Sequence, residues 1–130
     1  MTEVEHGAMK DLKEGKYVII DGFPCRVVGI DVSAPGKHGA AKMRVTAIGV
    51  FDGTKRTLMK PSDGNIEVPI IEKKNGQIVS MTGDVAQVMD LATFETFEMT
   101  IPADLKESAV AGKEVEYMDT MGRKMIMRVR

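Results

Sequence analysis

The sequence predicts an all-β chain built as two small barrels or sandwiches. Three observations carry this. Apolar residues alternate at period two over short runs, turn-forming residues interrupt those runs at short intervals, and no apolar stripe of helical period lasts three turns. With 130 residues the chain has room for one ordinary domain or two β modules, each near the lower size limit for independent folding. Aromatic filling is scarce, at four Phe, two Tyr and no Trp. The cores therefore fall to Val, Ile, Leu and the eleven Met, whose flexible side chains fill irregular gaps.

Taken in order, Val28, Ile30 and Val32 alternate with Gly29 and Asp31 as a half-buried strand. Met43, Val45 and Ala47 alternate with Lys42, Arg44 and Thr46, and the apolar phase changes at Ile48 and Val50, which predicts a bulge or bend there. Asp52-Gly53 turns the chain into a strand over 55–60, ended by Pro61 and Ser62-Asp63-Gly64-Asn65. Pro69, in Val68-Pro69-Ile70-Ile71, is a natural stiffener at a joint, so the chain is divided into residues 1–68 and 69–130. In the second part Asn75-Gly76 predicts a type I′ hairpin turn, because such turns need positive φ at both central positions. Strands follow over 77–81, 85–89 and 94–101, with a turn at Thr82-Gly83-Asp84 and with Phe97, Met99 and Ile101 on one face. Residues 104–111 read as a short helix closed by Gly112. The last strands, 114–118 and 124–129, turn at Met121-Gly122 and place Met125, Met127 and Val129 inward. Phe94, Phe97 and Tyr117 read mostly as core.

A net charge of −1 hides an asymmetry. Between Val32 and Lys60, six cations (Lys37, Lys42, Arg44, Lys55, Arg56, Lys60) face one acid, Asp52; between Asp84 and Asp119, nine carboxylates face Lys106 and Lys113. The first half therefore suits a polyanion, and the second suits solvent or a basic partner; two ordinary solvated β surfaces are the bland alternative. Cys25 is the only cysteine, which rules out an intrachain disulfide and a Cys-based zinc site, and with only His6 and His38 besides, no metal site is expected. The opening MTEVEHGAMKDLKEG is charged and lacks an apolar core, and no apolar run approaches a membrane span. A cytoplasmic chain with no membrane partner is the expectation.

The segment between the two clearest strands is longer than a hairpin needs. Ser33-Ala34-Pro35-Gly36-Lys37-His38-Gly39-Ala40-Ala41-Lys42 sets Lys37 between Gly36 and Gly39, with Pro35 stiffening the approach. Glycines there allow another surface to come close to an uncrowded lysine. A phosphate-binding P-loop is excluded: Asp31 stands where its first glycine belongs, His38 follows the lysine, and a strand comes next rather than a helix. Taken alone, Gly-Lys-His-Gly is most simply a solvated lysine on a glycine-rich hairpin.

The pattern Ser33-x-Pro35-Gly36-Lys37-His38-Gly39-x-Ala41-Lys42 closely resembles the hypusine loop of the translation initiation factor 5A family, which is related to bacterial elongation factor P. The likeness extends to Pro24-Cys25-Arg26-Val27-Val28, to the joint at Val68-Pro69, and to Met89-Asp90-Leu91 with Phe94-Glu95-Thr96, so it spans nearly the whole chain. Pro35 and the short N-terminus resemble the archaeal members. The resemblance implies an SH3-like barrel followed by an OB-fold barrel. It implies no catalytic residue and no bound cofactor; instead, deoxyhypusine synthase transfers an aminobutyl group from spermidine to Lys37, giving deoxyhypusine or, once hydroxylated, hypusine. The ribosome and peptidyl-tRNA are the implied partners, with Ser33, Pro35, Gly36, His38, Gly39 and Lys42 as contacting loop residues. Arg44, Lys55, Arg56 and Lys60 would support them as a basic patch. Ala34 stands where many relatives carry lysine and Ala40 where many eukaryotic members carry histidine, which weakens the charge of the unmodified loop but leaves the modification site intact. Two alternatives stay open: an unmodified RNA- or ribosome-binding module, and, more remotely, an RNA-cleaving activity, for which no His pair or carboxylate cluster is in view.

Overall fold

The structure, a computed structural model, describes residues 4–33 and 41–130. The chain divides into two compact units, Met1–Ile70 and Ile71–Arg130, two residues beyond the joint placed at Pro69. Both are built almost wholly of strands, joined by tight turns.

In the first unit β2 (Tyr17–Ile20), β3 (Phe23–Ser33), β4 (Lys42–Gly49) and β5 (Lys55–Pro61) form an antiparallel meander, while β1 (Val4–Ala8) pairs with β6 (Asn65–Pro69) as a separate ribbon. The meander is the curled sheet and Ile66 of the ribbon joins its core, together making the SH3-like unit. Met9, in a 3-10 turn over Met9–Asp11, is fully buried with Val18, Cys25, Val27, Val45 and Ala47. The bend predicted in β4 lies instead in β3. Register slips between Val27 and Gly29, so Val28 bulges outward and Val27 and Ile30, three residues apart, both meet the core. β4 keeps its alternation without interruption, with Met43, Val45 and Ala47 inward.

The second unit is a closed barrel in the order β10-β11-β9-β8-β7, with β7 also paired to β10. Its strands are β7 (Glu72–Thr82), β8 (Val85–Asp90), β9 (Thr96–Thr100), β10 (Glu114–Thr120) and β11 (Arg123–Val129). Counted within the unit, the neighbours run first, second, third, fifth, fourth and back to first, and the third and fifth strands meet in parallel at Met125 and Thr100. That is the OB arrangement.

Three local expectations fail here. Asn75-Gly76 makes no turn; it lies inside β7 and neither residue has positive φ. Gly76 is there for close approach: a Cβ would sit 2.5 Å from Val88 Cγ1 and 3.0 Å from the Met89 carbonyl oxygen. Gly76→Ala is accordingly expected to destabilise by about 1–3 kcal/mol through overpacking, read as a lower denaturant midpoint at unchanged slope. Over 104–111 a single 3-10 turn (Ala103–Leu105) and bonds from the Ser108 and Ala109 N–H groups to the one Leu105 carbonyl replace the helix. Only Leu105 and Ala109 pack on the core there, too little to hold further turns. In β11 the residue facing the core is Ile126; a register slip against Glu116 and Tyr117 makes Met127 the extra residue, after which Val129 packs on the core as expected. Met125 and Met127 are half-buried rather than inward.

Candidate functional site

Ser33 and Lys42 are the last paired residues of the β3–β4 hairpin, and residues 34–40, with Pro35, Gly36, Lys37, His38 and Gly39, lie outside the described residues. The base from which that segment leaves is well tied. Ser62 donates its backbone N–H to the Ala41 carbonyl at 2.8 Å. The same turn accepts N–H bonds from the N-terminal 3-10 segment, Lys10 to the Ser62 carbonyl and Met9 to the Gly64 carbonyl, both at 2.9 Å. A buried Met9 thus backs the point where the hairpin opens.

Register decides which basic residues share a face. Facing residues of an antiparallel pair project to the same side. Lys42 opposes Pro61 and Ser33, Arg44 opposes Met59 and Asp31, and Ile48 opposes Lys55. Lys42, Arg44 and Lys55 therefore stand on the outer face beside Met59, which is 60% exposed, and none of the three cations forms an ion pair with another described residue. Asp31 is the one acid of that face among these paired residues.

Arg56 and Lys60 do not belong to it. They oppose Ala47 and Met43, on the core side of the sheet. Arg56 forks onto Asp52, with bonds of 3.2 and 2.8 Å, and lies 4.1 Å over the Phe23 ring. Gly49 makes room for this pair, since a Cβ there would collide with the Asp52 carboxylate and come within 2.7 Å of Arg56 Nη1. Lys60 donates to the Asn65 carbonyl at 2.6 Å. The four-residue patch read from the sequence is thus divided: Arg44 and Lys55 stand open beside the loop residue Lys42, while Arg56 and Lys60 brace the fold.

The Arg56 bonds, with the Thr54 N–H, hold the Asp52 carboxyl down to about 2. A depressed carboxyl contributes stability above its unfolded value of ~3.9 and loses it as pH falls through the folded value. Arg56→Gln is expected to return the Asp52 carboxyl resonance in an NMR titration toward the ordinary range. Burial pushes the neighbouring Cys25 thiol up, so it is a packed, unreactive group.

An SH3-like sheet with an open basic face and a long lysine-bearing hairpin, followed by an OB barrel, defines a two-domain β protein of the kind that meets RNA. Known proteins agree and are more specific. Residues 4–64 match the family described as "Translation initiation factor 5A-like, N-terminal", and residues 70–130 match "Eukaryotic elongation factor 5A hypusine, DNA-binding OB fold". The chain is 53% identical to the translation initiation factor 5A of Methanocella arvoryzae over 119 residues, 92% of this chain and 93% of that protein. It is 50% identical to that of Archaeoglobus fulgidus over 121 residues, 93% and 94% of the two. The solved structure of the factor from Methanococcus jannaschii superposes with a TM-score of 0.91 at 45% identity, covering 98% of this chain and 95% of that one. The chain belongs to the translation initiation factor 5A family, a family of translation factors whose work is tied to the ribosome. Among the described residues, no helix is long and apolar enough to cross a membrane.

Sequence reasoning missed the exposure of Phe94, which is 69% accessible at φ +63. The signal available was Asp90 followed by Leu91-Ala92-Thr93: an Asx-type turn, as aspartate often makes, ends a strand and throws the next aromatic outward.

Proposed function

We propose that this protein binds the ribosome next to peptidyl-tRNA and promotes peptide-bond formation, including at proline-rich stalls, through a hypusine or deoxyhypusine side chain made from Lys37. The observation that carries the reading is Gly36-Lys37-His38-Gly39 in the segment that leaves the Ser33–Lys42 pair, beside an open face of Lys42, Arg44 and Lys55. An aminobutyl group from spermidine, attached by deoxyhypusine synthase, extends the lysine and leaves a secondary and a terminal amine, both cationic near neutral pH. Two separated charges on a long arm follow a phosphate backbone into a narrow RNA-lined cavity. The arm works by position: it holds the acceptor end of the tRNA in reactive geometry, and no side chain of the protein acts as acid, base or nucleophile.

The test is the mass of the peptide containing residue 37 from protein made in its native cells. An aminobutyl increment on Lys37, absent after spermidine depletion together with relief of polyproline stalling, is the expected result. Plain lysine in active native protein would leave only an unmodified RNA-binding module. The open face makes a second prediction. Arg44→Gln is expected to reduce the slope of log affinity for single-stranded RNA against log salt by about 0.7, whereas Arg56→Gln leaves the slope unchanged.

A further inference from the structure

The two ladders that flank β4 stop at different places. On the β3 side pairing ends at Ser33 and Lys42. On the β5 side Lys42 meets Pro61, and the residue before it, Ala41, still has its carbonyl bonded to the Ser62 N–H at 2.8 Å. The foot by which the lysine-bearing segment returns to the sheet is therefore tied from β5. Ala41 comes four residues after Lys37, a span of at most ~14 Å of extended chain.

Ser62 is itself held from behind. It is the second residue of a turn over 61–64, closed by the Gly64 N–H onto the Pro61 carbonyl at 2.8 Å, and its φ is not positive. The Ser62 carbonyl accepts the Lys10 N–H and the Gly64 carbonyl accepts the Met9 N–H, both at 2.9 Å. Asp11 Oδ2 accepts the Ala8 N–H at 3.1 Å and so caps the 3-10 turn that supplies those donors. Met9, fully buried, anchors the turn in the core cluster that also holds Met43 of β4. A series of bonds thus runs from Asp11 through Met9 and Lys10 to the 61–64 turn, and from Ser62 to Ala41. The Ser62 side chain bonds to no described residue, so the backbone alone carries the connection.

We propose that Ser62 is a positioning residue for the Lys37 arm: its N–H fixes the foot at Ala41, and the N-terminal 3-10 turn keeps Ser62 itself from drifting. The inference rests on the reading of Lys37 given above and adds the group that sets where the arm starts. An arm that acts by orientation is only as effective as its base is fixed, since a misplacement of about 1 Å costs up to about a hundredfold in rate. No charge is involved, so the bond governs the rate at saturation and not the affinity for RNA.

The experiment uses full-length protein whose Lys37 carries the aminobutyl group, verified by mass, in single-turnover peptide-bond formation on polyproline-stalled ribosomes. Ser62→Pro replaces the N–H by a ring carbon. The second position of such a turn suits proline, and Pro61, extended in β5, accepts a proline after it. Its melting temperature should stay within about 5 °C of the parent's. The rate at saturating factor should fall at least about tenfold, with the half-saturating concentration changed by less than about twofold. Ser62→Ala keeps the N–H and should match the parent. In the free protein, the ¹⁵N order parameters of Ala41 and Lys42 should fall in Ser62→Pro alone. A loosened foot with a parental rate overturns the proposal, as does a foot that stays ordered or a loss that Ser62→Ala shares. If Ser62→Pro does not fold, Asp11→Ala tests the connection from its far end. It should lower the saturated rate about threefold, with recovery in Asp11→Asn, whose amide oxygen still accepts the Ala8 N–H; a parental rate in Asp11→Ala overturns the proposal. Lys37→Arg in the same assay keeps the two readings apart. A slow Lys37→Arg beside a fast Ser62→Pro removes only the positioning role, whereas a fast Lys37→Arg removes the modified arm itself.

Discussion

Lys37→Arg protein is expected to fold with an unchanged melting temperature and to bind RNA nearly as the parent does, yet to leave polyproline synthesis at the rate seen without the factor. Arginine keeps one positive charge in a run of small and polar residues, Ser33-Ala34-Pro35-Gly36 before it and His38-Gly39-Ala40-Ala41 after it. What it cannot do is accept an aminobutyl group on a nucleophilic amine, because its guanidinium stays protonated at any physiological pH. The expected loss is therefore in the bond-forming step and not in affinity. Orientation of reacting groups offsets up to ~7–11 kcal/mol of a barrier in the best-aligned cases, and forfeiting only ~3 kcal/mol slows a step about a hundredfold. Single-turnover peptide-bond formation on stalled ribosomes at saturating factor measures this directly. A Lys37→Arg rate matching the parent's would dismiss the modified arm, while a weaker but saturable response would reduce the residue to electrostatics.

Much of the architecture was legible in the sequence because period-two alternation and turn residues are local signals. Asp52-Gly53, Thr82-Gly83-Asp84 and Met121-Gly122 all turn where expected, with positive φ at Gly53, Gly83, Met121 and Gly122. The run around Lys37 stands out locally only as small residues with one cation between two strands; its reading as a modification loop comes from the family resemblance, and residues 34–40 lie outside the described residues. What failed depends on partners distant along the chain. Asn75-Gly76 has the composition of a turn, but the reason for Gly76 is Val88 and Tyr117 pressing on β7. A count of cations gave Arg56 and Lys60 the same standing as Arg44. Only the β4–β5 register shows that they project to the core side, where Asp52, Phe23 and the Asn65 carbonyl engage them. Phe94 reads as core until Asp90 is seen tied to Tyr117, 27 residues away.

That tie makes Asp90→Ala the substitution expected to cost the second barrel most. Asp90 is buried, and its carboxylate is the partner of the buried Tyr117 hydroxyl as well as of two backbone N–H groups. The Tyr117 bond, with the two N–H bonds, holds the Asp90 carboxyl below the usual range, while burial and the same bond push the Tyr117 phenol up. Removing the carboxylate leaves the hydroxyl without its acceptor inside the core and frees the N–H groups that shape the β8–β9 turn. An unpaired buried group costs about 1–3 kcal/mol, and charge-assisted bonds about 1.5–3 each, so a total near 3–4 kcal/mol is expected after the exposed N–H groups rebond to water. For a unit of this size that lowers the melting temperature by about 12–32 °C. Tyr117→Phe, which keeps the turn bonds, should cost about 1–2 kcal/mol. The pH dependence follows from the signs. Asp90, depressed in the folded state, contributes stability above its unfolded value of ~3.9 and loses it as pH falls; Tyr117, raised, contributes below its unfolded value of ~10 and loses it as pH rises. In Asp90→Ala the acid flank should flatten. The alkaline flank should lose only the share that the Asp90 bond supplies, since burial of Tyr117 remains. A series of thermal melts from acid to alkaline pH will read both. Because Phe94 is held by the Asp90 carbonyl and the turn it caps, the same substitution should also release the ring.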